Sequence, residues 1–138
     1  MDLHSHPLFQ KLLSLDLPAK DYAVFGSGPM LAHGIRETIN DVDVIARDAA
    51  WERAKQFGPV MSGEFGGDMI DSFEGKIQIF NSWVPGFWDI DHLVDTAETI
   101  EGIPFVKLEY VLKEKVRLAR KKDLDDVEVI KKYLAAKV

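Results

Sequence analysis

Apolar positions along the chain follow two different periods, and each change of period marks an element. In HPLFQKLLSL (6–15), Leu8, Leu12, Leu13 and Leu15 fall near helical spacing, which predicts a first helix that LDLPAKD then breaks. YAVF (22–25) is a short β-prone apolar run ending at Gly26 and reads as a buried strand. Pro29 suits the first turn of a helix, where its missing N–H needs no partner. MLAHGI continues that helix to a stop at Gly34. DVDVIA (41–46) alternates polar and apolar, the pattern of a strand with one wet or functional face. DAAWERAKQFG (48–58) reads as a helix with Asp48 as its N-cap and Gly58 as its terminal signal. MIDSFEGKIQIF (69–80) predicts two strands about a turn at Glu74-Gly75, DIDHLVDTAE a short helix, and ETIEGIPFV a small hairpin about Gly102. Two helices, near 108–120 and 123–136, end the chain. Mixed elements with adjacent hairpins point to an α+β fold rather than a doubly wound sheet.

Composition narrows the class. The 138 residues are 46% apolar and 29% charged, enough for one domain with a hydrophobic core and too apolar for extended disorder. No apolar stretch approaches the roughly 20 residues that span a bilayer, so no membrane association is expected. The opening MDLHSHPLFQ lacks a basic segment followed by an apolar run, so no signal peptide is expected. The absence of cysteine excludes disulfides and thiolate metal sites and fits a cytoplasmic location. A net charge of −6 argues against broad coating of nucleic acid. Yet KLEYVLKEKVRLARKK (107–122) sets seven Lys/Arg against two Glu, either a solvated helix face or a local attraction for an anion.

Two segments carry the candidate chemistry. Gly26-Ser27-Gly28 joins a strand to a helix, where unpaired N–H groups and a Ser hydroxyl can meet a phosphate. It matches neither the dinucleotide fingerprint, which wants glycine at Leu31, nor the Walker pattern, and taken alone a tight turn with a Ser cap accounts for it better. Asp41 and Asp43 stand two apart on a predicted strand, so both side chains share a face with Cα atoms roughly 7 Å apart. Such a pair can converge on a hard cation such as Mg²⁺, with Val42 and Val44 turned to the core; a charged edge strand is the alternative.

In combination the order is more specific. An apolar strand, Gly26-Ser27, a helix and then Asp41-Val42-Asp43-Val44 resembles the nucleotidyltransferase superfamily that includes the catalytic domain of DNA polymerase β. LARKKDLDDVEVIKKYL (118–134) is also similar to the C-terminal helices of small bacterial members, in which a Lys-Asp pair (here Lys122-Asp123) opens the last helix. The resemblance implies one nucleotidyltransferase-like domain over 1–138, with 107–138 as its C-terminal helical part. It implies a mixed sheet with helices packed on one face. By the same resemblance Gly26 and Ser27 hold the triphosphate of a nucleoside triphosphate and Asp41 and Asp43 bind Mg²⁺. An acceptor hydroxyl, on a molecule the sequence does not name, attacks the α-phosphate. The family's third acid, on a later strand, corresponds to Gln78 in GKIQIF, where an amide cannot replace a carboxylate. Asp71 is a possible substitute, and a member lacking the acid would be a binding or regulatory module.

The remaining polar signals are secondary. Lys115 falls on an apolar stripe of the penultimate helix, where a lysine stem lies along the core and its head reaches solvent, or else turns into a cleft toward a phosphate. Lys113, Arg117 and Arg120 are expected on a solvated face, Asp123 as the N-cap of the last helix and Asp91 as the cap of the short one. His4, His6, His33 and His92 lack evident partners, and Trp83, Phe87 and Trp88 read as an aromatic cover for the sheet or a stacking platform. GEFGGD (63–68) reads as a loop flanking the cleft.

Overall fold

The computed structural model describes residues 2–137. Seven strands form one mixed sheet: β1 (Tyr22–Phe25), β2 (Val42–Ala46), β3 (Val60–Ser62), β4 (Asp68–Ser72), β5 (Ile77–Phe80), β6 (Glu98–Ile100) and β7 (Ile103–Phe105). Their order is β3-β4-β5-β2-β1-β7-β6, with β1–β7 and β2–β5 parallel and the other pairs antiparallel. Six α-helices accompany it among the described residues: α1 (Pro7–Ser14), α2 (Gly28–Ala32), α3 (Asp48–Ala54), α4 (Ile90–Asp95), α5 (Leu108–Leu118) and α6 (Lys121–Ala136). The α+β class stands as expected. β3 lies outside the predicted elements because all three of its residues are exposed, which leaves no period-2 pattern to detect.

The helices cover both faces, correcting the expectation of one. Every residue of β1 is buried, so each face of that strand must meet apolar partners. On one face Val24, Val44 and Ile79 pack with Leu8, Phe9 and Leu12 of α1 and Ala50 and Ala54 of α3. On the other, Phe25, Ile45 and Phe80 pack with Leu93 and Val94 of α4, Leu108 and Val111 of α5 and Ile130 of α6. Asp43 shares this second face with Ile45, two residues on. The α5–α6 layer therefore closes over the strand ends that carry the candidate site.

Helix ends differ from expectation in instructive ways. Asp48 is the first residue of α3 rather than its cap, and no side-chain cap bond forms at Arg47. Asp89, not Asp91, caps α4 by accepting the Asp91 N–H at 3.0 Å. Asp91 instead accepts from Arg47 Nη1 at 3.1 Å, and Asp95 from Nη2 at 2.6 Å. Asp123 lies inside the first turn of α6 and reaches back to the Arg120 N–H at 3.2 Å, one half of a capping box. His6 is not an idle surface residue: its Nδ1 accepts the Leu8 N–H at 3.1 Å and so caps α1. No helix among the described residues is long and apolar enough to cross a membrane.

Candidate functional site

A cleft of about 390 Å³ opens where the ends of β1 and β2 meet α5 and α6, and its lining includes Gly26, Ser27, Asp41, Asp43, Gln78 and Lys115. The glycines of the turn are required by its packing. Gly26 adopts φ +64°, and a Cβ there would stand 2.9 Å from Asp43 Oδ2. A Cβ on Gly28 would overlap Val24 Cγ1, so the turn can hug the strand only without side chains. The register Phe25↔Asp43 and Asp43↔Gln78 then fixes the carboxylate beside the turn and between two neighbours.

This position is costly for Asp43. Burial, reinforced by the charges of Asp41 and Glu64 and only partly offset by Lys115, pushes its carboxyl from an ordinary 3.8 up to about 7. Asp41, just ahead of β2, is exposed at the cleft mouth. Among the described residues, neither these two aspartates nor Glu64 has a basic partner within ion-pair distance.

Lys115 stands opposite them. Its head does not reach solvent: only 8% of the side chain is exposed, and Nζ donates to Ser27 Oγ at 3.1 Å and meets Asp126 at 2.9 Å. Asp123 lies 3.9 Å away. A buried ammonium is tolerated because two carboxylates of α6 and a hydroxyl replace its water. Arg36, entering after α2, grips the same Asp126 through Nη1 at 3.0 and 2.9 Å. Asp126 thus sits between two cations on the cleft wall. Burial alone would raise the Asp123 carboxyl, but Arg120 holds it below the ordinary range with two side-chain bonds, at 2.5 and 3.1 Å.

A further acid near Asp43 comes from outside the predicted strands. Gln78 lines the cleft next to Asp43, as the sequence placed it. Asp71 pairs in register with Gln78 on the far side, outside the cleft lining, and its Oδ1 accepts the Gly75 N–H at 2.6 Å, a turn-forming role. Besides Asp41, the acid whose charge acts on Asp43 is Glu64, from the loop between β3 and β4. Periodicity could not locate it, because loop residues follow none; the glycines of GEFGGD were the available signal. Phe65 anchors that loop by stacking on Trp83 at 4.0 Å, and its carbonyl accepts the Val84 N–H at 2.6 Å.

Glu114 organises the aromatic wall. It accepts the indole N–H groups of Trp83 and Trp88, each at 2.8 Å, and a bidentate pair from Arg117 at 2.7 Å. Burial pushes this carboxyl up, and the four bonds more than offset it, so it stays below its usual range. His33 points away from the cleft, between Tyr133 and Glu98, and lines a second cavity.

The donor set of the cleft suits a hard divalent cation. Asp41, Asp43 and Glu64 supply oxygen only, and the charge crowding at Asp43 is what a bound cation would relieve. Among the described residues no three acidic or histidine side chains already converge on one point, so ligand oxygens would have to complete the shell. Comparison with protein-family models, with curated proteins and with solved structures gives no match.

Proposed function

We propose that the protein binds a nucleoside triphosphate with Mg²⁺ in this cleft and transfers its nucleotidyl group to a hydroxyl acceptor, as the nucleotidyltransferase superfamily does. One observation carries the reading: Ser27 and Lys115, which suit phosphate, face unpaired Asp41, Asp43 and Glu64, which suit a cation, across a single cleft. Neither half alone distinguishes a nucleotide site from a structural ion pair. A ligand with both an anionic chain and a bound cation satisfies them together.

In this reading Ser27 Oγ and the backbone at Gly26 hold the phosphates. Lys115 exchanges Asp126 for a phosphate oxygen, and Arg36 retains Asp126 so that no buried carboxylate is stranded. Asp41 and Asp43 hold the cation, with Glu64 closing from the loop. Mg²⁺ so held would neutralise the triphosphate and stabilise the departing pyrophosphate. The acceptor oxygen forms its bond to the α-phosphorus as the bond to pyrophosphate breaks, and its proton passes to a cleft carboxylate. A second reading, a non-catalytic binding module of the same fold, is favoured by Gln78, an amide in register with Asp43.

Thermal denaturation with each of four nucleoside triphosphates, with and without Mg²⁺, tests the binding. At 100 times the dissociation constant a ligand adds about 2.7 kcal/mol. No Mg²⁺-dependent shift with any nucleotide would sink both readings. Transfer from α-labelled nucleotide that is lost in Asp41→Ala and Asp43→Ala selects the enzyme; binding without transfer selects the module.

A further inference from the structure

The cations of the cleft wall already hold an anion that belongs to the protein itself. Arg36, Lys115 and Asp126 all line the cleft. Lys115 Nζ stands 3.1 Å from Ser27 Oγ, so it is at the glycine turn before any ligand arrives. Asp126 meets the same Nζ at 2.9 Å and accepts Arg36 Nη1 on both carboxylate oxygens, at 3.0 and 2.9 Å. Only 14% of the Asp126 side chain is exposed, so water competes weakly for it. Asp123, the other carboxylate near Lys115, is taken by Arg120 and stands 3.9 Å off. Around this point Arg36, Lys115 and Arg120 face Asp123 and Asp126, three cations against two carboxylates, which leaves one positive charge for a ligand.

We propose that Asp126 is a specificity-determining residue, a built-in competitor that holds Lys115 against lone oxyanions and yields it to a polyphosphate with further anchors in the cleft. The proposal rests on the reading above, in which the turn and Lys115 take phosphate. A carboxylate tethered on the neighbouring helix acts at an effective concentration of about millimolar or above. A lone phosphate or sulfate offers Lys115 what Asp126 already supplies, and gains nothing by exchange. A polyphosphate held also by a cation at Asp41 and Asp43 and by the backbone at Gly26 keeps those anchors while the exchange takes place. Arg36 makes the exchange reversible, because it gives the displaced carboxylate a second partner. A plain clasp between α5 and α6 would need only Lys115 and Asp126. The third member comes from outside that hairpin, from the segment between α2 and β2, and a carboxylate shared by two cations is the arrangement from which one cation can be released.

Isothermal titration calorimetry with inorganic phosphate and with pyrophosphate, each in Mg²⁺, tests this on the wild type and three variants. Asp126→Asn removes the charge but keeps an amide oxygen that accepts from Arg36 or Lys115, so the variant should fold, as its melting curve will show. It should bind pyrophosphate at least ten-fold more tightly than the wild type. It should also bind inorganic phosphate, which the wild type should not bind below about 1 mM. Asp125→Asn removes the same charge one residue away, at an exposed side chain with no ion pair among the described residues, and should stay within two-fold of the wild type. Arg36→Gln, at a side chain 35% exposed, leaves Asp126 to Lys115 alone and should weaken pyrophosphate binding three-fold or more. Equal or weaker pyrophosphate binding by Asp126→Asn overturns the proposal. So does an equal gain in Asp125→Asn, unchanged or tighter binding by Arg36→Gln, or no pyrophosphate binding by either the wild type or Asp126→Asn. A pyrophosphate gain in Asp126→Asn with no Mg²⁺-dependent nucleotide shift in either protein overturns only the nucleotide reading; a nucleotide shift in the wild type without that gain overturns only the competitor.

Discussion

Replacing Asp43 with asparagine should make the metal-free protein more stable, although it removes a residue at the centre of the site. The unfolded chain carries an Asp43 carboxyl near 3.8, while burial and the charges of Asp41 and Glu64 raise it to about 7 in the fold. Between those values the folded state binds more protons than the unfolded chain. Stability therefore falls as pH rises through this window, and the loss is complete above it. At 1.36 kcal/mol per tenfold change in proton affinity, the separation corresponds to roughly 4 kcal/mol as an upper bound. Asp43 retains some contact with solvent, and side-chain relaxation reduces the charge penalty further, so we expect the Asp43→Asn variant to gain about 2 kcal/mol at pH 8. Asparagine is isosteric and uncharged, so the gain should shrink below about 0.5 kcal/mol at pH 4. Urea denaturation followed by far-ultraviolet circular dichroism at the two pH values, in chelator, measures both figures. Added Mg²⁺ should then stabilise the wild type at pH 8 and leave Asp43→Asn unchanged. A variant less stable than wild type at pH 8, or a gain equal at both pH values, would refute the reasoning, because charge burial predicts neither.

Other perturbations follow from the same contacts. Gly26→Ala forces a Cβ against Asp43 Oδ2 at positive φ. It should cost about 1–2 kcal/mol in urea denaturation and weaken any Mg²⁺-nucleotide shift. Glu114→Ala strands two indole N–H groups and the Arg117 guanidinium and should cost about 3 kcal/mol or more; a loss under about 1 kcal/mol would show that the wall does not depend on it. Lys115→Met leaves Asp126 to Arg36 and Asp123 to Arg120, so calorimetry should find the fold retained and the nucleotide-induced rise in melting temperature gone. Gln78→Glu sets a carboxylate next to Asp43 and should lower stability in chelator at pH 8 while making it more responsive to Mg²⁺, read as a steeper titration.

The parts of this molecule that could be read from sequence are those set by local period. YAVF and DVDVIA announced the two strands at the centre of the sheet, and the glycine turn between them fell at the strand end where the cleft begins. What escaped depends on distant partners. A lysine on an apolar stripe ordinarily reaches for water, and only the approach of α6, with Asp123 and Asp126, turns Lys115 inward. Glu64 lies 21 residues from Asp43 in a loop whose position is fixed by Phe65 on Trp83, a contact no spacing rule encodes. The single-face arrangement came from the resemblance, whereas the unbroken apolar run YAVF, with no polar alternation, already called for partners on both faces. Asp91 was expected to cap and instead answers Arg47, 44 residues away, a pairing visible only in three dimensions; Asp123 does serve the start of α6, from its third position rather than as the N-cap.

The bond network at Glu114 has an optical consequence. The chain contains three tryptophans, and two of them share this one carboxylate on the cleft wall, with Trp83 itself among the lining residues. Indole emission is sensitive to nearby charge and to the N–H partner, so two of the three indoles are placed to report on the carboxylate of the cleft wall. A ligand that disturbs Glu114 should therefore change the emission of the unlabelled protein, with Trp51, in α3 on the opposite layer, as the internal background.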